Sequence, residues 1–318
     1  MIFIDWMSTP YHKNFNRAFF DSIKPINGNC YVFNSSLIIN EVNCINISSS
    51  TNRFLRAIKV FHICLKNKDQ NLFFLTYDPL FIPLIKLIKG NITVFEHNTT
   101  PDETKSKFYK IFQNLFYKNI LRLAQFRGQY DVLKDMNQMV SYVGSPLRKK
   151  NNNEIAKENA ASNNKYFILP SYRASISKFN LISNLIAPNL IYVKSNQNNI
   201  YNEEFSKYEN VFPIKNIELE SDCRNIAGTF INIDSNSRGT GWYNESITHG
   251  IPIFICNNKT EQLFKATFPS YPYVKIDKNT TNELFNKKLE SLKDYNNLDY
   301  IEKYNIEFKK KYLNALDI

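Results

Sequence analysis

Glycine residues gather in one short stretch of a chain that has few of them. The sequence has 8 glycines in 318 residues, and Gly239, Gly241 and Gly250 fall within SRGTGWYNESITHGIPIFI, residues 237–255. Glycines in a loop let backbone N–H groups approach a ligand closely. A helix after this loop, with Glu245 in its first turn, would present unpaired N–H groups and a positive dipole end to a phosphate.

The polar residues of this stretch allow two interpretations. The Glu245 carboxylate can accept hydrogen bonds from vicinal hydroxyls, as acidic residues do for ribose in dinucleotide-binding folds. Alternatively, Asn244 and Glu245 cap the helix and Gly250 stops it. Capping does not explain the Gly-Thr-Gly loop, so we favour a ligand site. Its predicted residues are Gly239, Thr240, Gly241, Asn244, Glu245 and Ser246.

Two histidines in the N-terminal half have the chemistry needed for proton transfer. His12 comes after FIDWMSTPY and His97 comes after ITVFE, an apolar run that predicts a strand. Histidine titrates near neutral pH, so either side chain can remove a proton from a hydroxyl. We rank His97 above His12, because a strand should fix His97 whereas His12 follows a longer loop. Asp5 or Asp21 would orient His12, and Glu96 is an alternative base.

Strands and helices alternate along both halves of the chain, which predicts parallel sheets with helices on both faces. In the first half, strands are predicted at residues 1–6, 29–34, 71–78, 91–98 and 138–147, with helices at 11–23, 52–67, 79–90 and 105–126. In the second half, strands are predicted at 166–170, 189–196, 210–214, 228–234 and 251–255, with helices at 175–187, 218–227 and 244–250 and a charged helical tail.

A polar segment separates the two α/β halves. Residues 148–165, RKKNNNEIAKENAASNNK, have the composition of a flexible linker. We therefore predict an N-terminal domain over 1–147 and a C-terminal domain over 166–318 that includes the tail. Two such domains joined by a linker are expected to face a cleft, with ligands at the carboxyl ends of the strands.

Positive charge is concentrated in the first half of the sequence. Residues 1–150 hold 20 lysines and arginines against 10 acidic residues, whereas residues 151–318 hold 20 against 19. The first half should therefore favour an anionic partner or surface. The predicted helix at 105–126 mixes basic and aromatic side chains, which suits an anionic inner-membrane surface. An ordinary surface helix is the alternative.

The composition also bears on other classes of protein. The net charge of +11 raises nucleic-acid binding as an alternative, but the basic residues are scattered and no usual nucleic-acid motif occurs. The 5 cysteines form no CxxC, which argues against a zinc ribbon and fits a reducing compartment. The opening residues lack a signal-peptide pattern. We expect a cytoplasmic protein, with peripheral attachment to the inner membrane left open.

The segment 228–255 resembles the nucleotide-sugar signature of GT-B glycosyltransferases, in which a glycine loop precedes a glutamate-headed helix and a Gly-x-Pro turn. YVGSPL, residues 142–147, resembles the loop by which such enzymes leave their N-terminal domain. LPSYRASISK, residues 169–178, resembles the first strand and loop of their C-terminal domain. An arginine and a lysine hold the donor diphosphate there, and Arg173 and Lys178 match that pattern.

This resemblance implies a GT-B fold, two Rossmann-like domains facing a cleft, and a metal-independent glycosyltransferase with no cofactor besides its nucleotide-sugar donor. His97 resembles the cleft histidine of this fold, and His12 resembles the base of some inverting families. The implied acceptor is a glycan or lipid-linked saccharide in bacterial O-antigen, capsule or lipooligosaccharide synthesis. A nucleotide-sugar epimerase of the same form is the alternative. Many retaining members carry a second glutamate where this chain has Ser237.

Overall fold

The computed structural model describes most of the chain as two compact units. The described residues are 1–6, 12–24, 28–33, 43–47, 52–88, 91–97, 107–150, 165–169, 179–187, 189–194, 207–214, 225–231, 241–293 and 295–317. The first unit comprises Met1–Arg148 and Tyr304–Ile318, and the second lies within Lys149–Lys303. Each unit has its own parallel sheet.

The first unit is built on a 7-stranded sheet in the order β3-β2-β1-β4-β5-β6-β7. Every neighbouring pair is parallel. The strands are β1 (Ile2–Asp5), β2 (Asn29–Phe33), β3 (Asn43–Ile47), β4 (Leu72–Thr76), β5 (Ile92–Glu96), β6 (Leu121–Ala124) and β7 (Val140–Tyr142). The helices between them are α1 (His12–Ile23), α2 (Arg53–Lys66), α3 (Ile82–Ile88), α4 (Lys107–Phe116) and α5 (Arg127–Asp135).

Alternate residues of the central strands supply cores on the two faces of this sheet, as the two-residue period of a strand requires. On one face, Ile4 and Phe74 pack with residues of α2 and α3. On the other face, Phe3 and Phe73 pack with residues of α1 and of the C-terminal helix. Because both faces are covered, these strands read as almost continuous apolar runs.

The second unit repeats this plan with a 6-stranded parallel sheet in the order β10-β9-β8-β11-β12-β13. Its strands are β8 (Tyr166–Leu169), β9 (Ile191–Lys194), β10 (Val211–Ile214), β11 (Ile226–Ile231), β12 (Ile253–Ile255) and β13 (Val274–Lys275). Its described helices are α6 (Phe179–Ile186), α7 (Gly241–His249), α8 (Asn258–Thr267) and α9 (Asn282–Lys293), followed by α10 (Asn297–Ala315). Both sheets show the Rossmann reversal of strand order after the first strand, so the predicted pair of Rossmann-like domains is confirmed.

The helix predicted over 105–126 is wrong in its second half. Helix α4 ends at Phe116, and the residues that continue its apolar pattern form β6 instead. A short buried strand cannot be told from a helix segment by periodicity alone. Arg122 lies in that strand, fully buried, and not on a basic outer face. The sequence patterns also do not predict β3, α5, α8 and β13.

The boundaries of the domains differ from the predicted ones at both ends of the second unit. Arg148 and Lys150 are buried, so the expected flexible linker does not begin at 148, and residues 151–164 lie outside the described part of the chain. The tail was predicted to belong to the C-terminal domain. Its last part, Tyr304–Ile318, belongs to the first unit instead. The predicted cleft stays a prediction.

Candidate functional site

Four neighbouring strands of the first sheet end in polar residues. Strand β1 ends at Asp5 and β4 at Thr76, while His97 directly follows β5 and Gln125 directly follows β6. The carboxyl ends of parallel strands meet at one edge of a sheet, which is where ligands bind in open α/β folds. Hydrogen bonds join Thr76 to Asp5 and Gln125 to His97, and His12 lies beside both Asp5 and His97, so the four side chains form one cluster.

Asp5 is a buried carboxylate at the centre of the cluster. Its Oδ2 accepts a hydrogen bond from Asn16 Nδ2 at 2.6 Å, and its Oδ1 accepts one from the Thr76 hydroxyl. Burial acts to raise the pKa of Asp5, but the nearby His12, with the hydrogen bonds from Thr76 and Asn16, holds that pKa below its ordinary value. Asp5 is therefore ionised at neutral pH.

His12 begins α1 and lies beside this carboxylate. Its Nδ1 is buried and 3.8 Å from Asp5 Oδ1, whereas 19% of the side chain is exposed. Nε2 makes no hydrogen bond to any described residue. A proton on Nδ1 would face Asp5, leaving Nε2 as the nitrogen that can accept another proton. Asp5 is thus the carboxylate that lies beside His12, whereas Asp21 pairs with Lys24 on the surface of α1.

His97 stacks against His12 but uses both of its ring nitrogens within the protein. The two rings lie 4.9 Å apart and 19° from parallel. His97 Nε2 donates to the Leu75 carbonyl at 2.8 Å, and Nδ1 accepts from Gln125 Nε2 at 2.9 Å. Burial and then the neighbouring His12 lower the pKa of His97 to about 3, against the opposing charge of Asp5. His97 is a neutral ring fixed in one orientation.

Two glutamines hold His97 in place. Gln129 in α5 donates to the His97 carbonyl, while its Oε1 accepts the backbone N–H groups of Gln125 and Phe126, each at 3.2 Å. The Ser145 hydroxyl donates to Gln125 Oε1 at 3.0 Å, which turns the amide N–H of Gln125 toward His97. These residues are not predicted from the sequence, since isolated glutamines form no recognisable spacing pattern.

Glu96, the alternative base, lies in a buried ion pair. Its Oε1 accepts from Arg122 Nε at 2.6 Å and from the Tyr77 hydroxyl at 2.7 Å. Arg122 also donates to Gln113 Oε1, and its guanidinium lies over the Tyr117 ring. Although burial acts to lower the pKa of Arg122, the charge of Glu96 keeps that pKa above its ordinary value. Glu96 and Arg122 are both fully buried, which favours a structural role for Glu96.

The glycine-rich segment of the second unit leads into α7. This helix begins at Gly241, three residues before the predicted start, so the prediction that Glu245 lies in its first turn is wrong. A side chain added at Gly241 would meet none of the described residues within 4 Å. Gly250, at φ 63°, ends the helix as predicted: its N–H bonds to Ile247, and the N–H of Ile251 bonds to Ser246.

The other predicted residues of this segment have different surroundings. Glu245 is 23% exposed, and its Oε2 lies 3.7 Å from His249 Nε2 one turn later. Asn244 is half-buried. Ser246 is fully buried and donates to the Thr229 hydroxyl at 3.2 Å, which ties α7 to β11. The Ser246 side chain therefore points toward the sheet and away from solvent.

Four of the predicted donor-binding residues cannot be placed. Arg173, Lys178, Gly239 and Thr240 lie outside the described residues. Their assignment stays a prediction.

Within the described part of the chain, no three His, Cys, Asp or Glu side chains come together as a metal site. Nor is any described helix both long and apolar enough to cross a membrane.

Two parallel sheets in Rossmann order, each covered by helices, define a GT-B fold, and comparison with solved structures agrees. The chain is similar to a glycosyltransferase from Rickettsia africae ESF-5, with a TM-score of 0.54 and 10% identity over 99% of this chain and 93% of that one. It is also similar to WaaG, a glycosyltransferase involved in lipopolysaccharide biosynthesis, with a TM-score of 0.52 and 11% identity over 100% and 98% of the two chains. At these identities the likeness concerns the fold. No protein-family model and no curated protein sequence matches the chain.

Proposed function

We propose that this protein is a glycosyltransferase that moves a sugar from a nucleotide-sugar donor to a hydroxyl of a glycan or lipid-linked saccharide. The observation that carries the proposal is the His12–Asp5 pair at the carboxyl ends of the first sheet. It supplies a general base, with an ionised orienting group, in a chain whose fold is shared with glycosyltransferases.

His12, and not His97, is the base in this proposal. His97 has no ring nitrogen free to accept a proton without breaking a hydrogen bond, and its lowered pKa makes it a weak base. His12 Nε2 makes no hydrogen bond among the residues that the structure describes, and a carboxylate lies on its Nδ1 side. The 3.8 Å separation of His12 and Asp5 would shorten when an acceptor binds, since catalytic hydrogen bonds are often long in free enzymes.

The proposed reaction is a single displacement at the anomeric carbon of the donor. His12 Nε2 removes the proton of the acceptor hydroxyl as its oxygen attacks C1 of the sugar. The bond between C1 and the phosphate oxygen breaks, and the nucleotide leaves with the electron pair. Asp5 stabilises the positive charge that His12 gains. One displacement inverts the configuration at C1.

The donor side of the proposal rests on α7. Its N-terminus begins at the exposed Gly241, beside which no described residue lies within 4 Å, and the positive end of the helix dipole is suited to a phosphate group. The Glu245 carboxylate would accept hydrogen bonds from sugar or ribose hydroxyls, and Asn244 would add a further polar contact. Arg173 and Lys178 would neutralise the leaving phosphates, so that no metal ion is required.

We place the reaction in the cytoplasm, in the synthesis of a bacterial surface polysaccharide. WaaG, which has the same fold, is involved in lipopolysaccharide biosynthesis, and this supports a saccharide acceptor of the lipopolysaccharide class. Nucleotide sugars are the donors that the resemblance of the segment 228–255 implies. No nucleic-acid partner enters the proposal.

A donor screen followed by a transfer assay tests this function. Thermal unfolding is measured with UDP-, GDP-, dTDP- and CMP-linked sugars, and the donor that stabilises the protein is incubated with saccharide acceptors. We expect one nucleotide class to stabilise the protein and turnover to require an acceptor. An epimerase would convert the free nucleotide sugar alone. Stabilisation by none of the donors would contradict both functions.

A further inference from the structure

Three helices of the first unit cover one face of its sheet and carry large apolar side chains on their outer sides. Val60 of α2 and Ile85 of α3 pack into the same buried cluster as Ile4 and Phe74 of the sheet. Phe112 of α4 packs against this cluster as well. The side chains that project from these helices away from the cluster therefore form one surface, which we call the α2–α4 face.

The α2–α4 face is unusually apolar for an exposed surface. On α2, Phe54 and Ile58 lie one turn apart and are 68% and 63% exposed. On α3, Leu87 is 83% exposed, and on α4, Ile111 and Leu115 lie one turn apart at 57% and 70%. Scattered exposed apolar residues need no explanation, but several on adjoining helices mark an interaction surface.

The same elements are strongly basic. Residues 52–88 and 107–120 hold 9 lysines and arginines against 2 acidic residues, Asp69 and Asp78. Asp78 is ion-paired with Arg53, which leaves little exposed negative charge. The ammonium groups of Lys66, Lys110 and Lys118 belong to exposed side chains. Apolar side chains flanked by lysines are the composition of segments that lie in a membrane interface.

We propose that the α2–α4 face binds the surface of an anionic lipid bilayer, with its apolar side chains among the acyl chains and its lysines at the headgroups. A second copy of the chain fits less well, since a symmetric contact would bring two basic faces together. Nucleic acid fits less well because its phosphate backbone pairs with the lysines but makes no apolar contact with the exposed leucines. This inference rests on the first unit alone and stands without the proposed sugar transfer.

The membrane surface inferred here differs from the predicted one. The predicted surface ran along residues 105–126, but Arg122 and Phe126 of that range are buried. Helix α4 contributes only its outer side, and most of the remaining apolar area comes from α2 and α3. None of the three helices is long and apolar enough to cross a membrane, and the proposed contact is with the surface of the bilayer.

Vesicle flotation with matched variants tests the proposal. The apolar variant carries Ile58→Gln, Leu87→Gln and Leu115→Gln, and its control carries Leu190→Gln, Leu284→Gln and Ile306→Gln, which are exposed outside the face. Vesicles of phosphatidylcholine are compared with vesicles that also contain phosphatidylglycerol. We expect the wild type and the control to float with the anionic vesicles and the apolar variant to stay in solution.

A second pair of variants tests the charge. Lys66→Gln, Lys110→Gln and Lys118→Gln together should weaken binding about a hundredfold, since each lysine near an anionic surface contributes about fivefold. The control triple Lys278→Gln, Lys287→Gln and Lys303→Gln should change it little. All the replaced side chains are exposed, so the thermal unfolding temperature of each variant should match that of the wild type.

Three outcomes would overturn the proposal. They are no binding of the wild type to anionic vesicles, equal binding of the apolar variant and its control, and a wild-type dimer in light scattering that the apolar substitutions split. The last result would assign the face to a second copy. The proposed enzymatic function is tested separately, by measuring thermal unfolding with nucleotide sugars in the absence of vesicles.

Discussion

At the residue scale, the contacts of two histidines determine which of them can do chemistry. The sequence predicts both His12 and His97 as candidates, because both follow strands. It favours His97, since a strand end fixes a side chain more firmly than a loop does. The structure shows that the same contacts that fix His97 leave neither ring nitrogen available: Nε2 is hydrogen-bonded to Leu75 and Nδ1 to Gln125. Such pairing depends on neighbours more than twenty residues away and cannot be predicted from spacing.

His12→Ala should lower kcat by about 10²–10⁴-fold, the usual contribution of a general base. Asp5→Asn should also lower kcat, because an amide cannot stabilise the positive charge on His12. Donor affinity should stay near that of the wild type in both variants, because neither residue is proposed to contact the nucleotide. Turnover at saturating donor and the donor Kd are the two measurements.

His97→Ala is the comparison that separates the two histidines. It removes the ring that stacks on His12 and two buried hydrogen bonds, so we expect a lower unfolding temperature and a smaller loss of kcat than for His12→Ala. A larger loss of kcat in His97→Ala, with the fold intact, would restore His97 as the base.

Glu245→Ala should weaken the binding of the donor by about 1.5–3 kcal/mol, the contribution of hydrogen bonds to a charged group. The carboxylate is partly exposed on α7, and its contact among the described residues is with His249. Glu283→Ala, on the exposed side of α9, is the matched control and should leave donor affinity unchanged. Isothermal titration with the donor found in the screen measures the Kd of both variants. If Glu245→Ala binds the donor as tightly as Glu283→Ala does, Glu245 is not part of the donor site.

At the scale of elements, β6 shows where sequence patterns fail. Leu123 and Ala124 are buried and Leu121 is partly buried, and the single charge among them, Arg122, has a buried partner in β5. A charged residue in an apolar run is typical of a surface helix, so the pattern predicts α4 to continue. Only the pairing with Glu96, 26 positions earlier, permits a strand.

Arg122→Met should destabilise the first unit by about 3–5 kcal/mol, because it leaves the Glu96 carboxylate buried without its cation. Adding Glu96→Gln to this variant should recover part of the loss, since a neutral amide is less costly to bury. Urea unfolding of the two single variants and the double variant measures the coupling. Additive losses would mean that the ion pair contributes nothing beyond its separate members.

A second cluster, around Glu261 in α8, should make the second unit sensitive to acid. Hydrogen bonds from Lys275, Tyr273 and Lys265 lower the pKa of Glu261 from 4.5 to about 2. A carboxylate with a lowered pKa in the folded state stabilises that state fully above about pH 4.5. The stabilisation is lost as the pH falls toward 2.

Glu261→Gln should therefore unfold more easily than the wild type at pH 6, by about 1 kcal/mol for these largely exposed lysine partners. The difference should shrink as the pH is lowered from 4.5 to 3. Urea titrations at pH 6, 4 and 3 measure it. Lys259→Gln, an exposed lysine at the start of the same helix, is the control and should show no such pH dependence. A constant difference between Glu261→Gln and the wild type would show that the pKa of Glu261 is the same in the folded and unfolded states.

At the scale of the whole molecule, the sequence predicts two Rossmann-like units because their strands and helices alternate with a clear polar break between them. What it does not predict is where the end of the chain belongs. The charged tail has helical spacing, and its few apolar residues give no indication of which core they enter. Phe308 and Tyr312 join the cluster that contains Phe3, Phe19 and Phe73, so the last turns of α10 complete the first unit.

Tyr312→Ala should therefore destabilise the first unit, although it lies 164 positions after Arg148, where the first part of that unit ends. The ring is buried and packs edge-on against Phe19 at 5.4 Å and Phe73 at 5.6 Å, so its removal should cost about 3–5 kcal/mol. Ile306→Ala, on the exposed side of the same helix, should change stability by about 0.5 kcal/mol or less. Near-ultraviolet circular dichroism during urea unfolding measures the stability of both variants.

A fragment of residues 1–148 should likewise fail to fold cooperatively, because its aromatic cluster lacks Phe308 and Tyr312. Cooperative unfolding of that fragment at wild-type stability would show that Phe308 and Tyr312 do not contribute to the stability of the first unit.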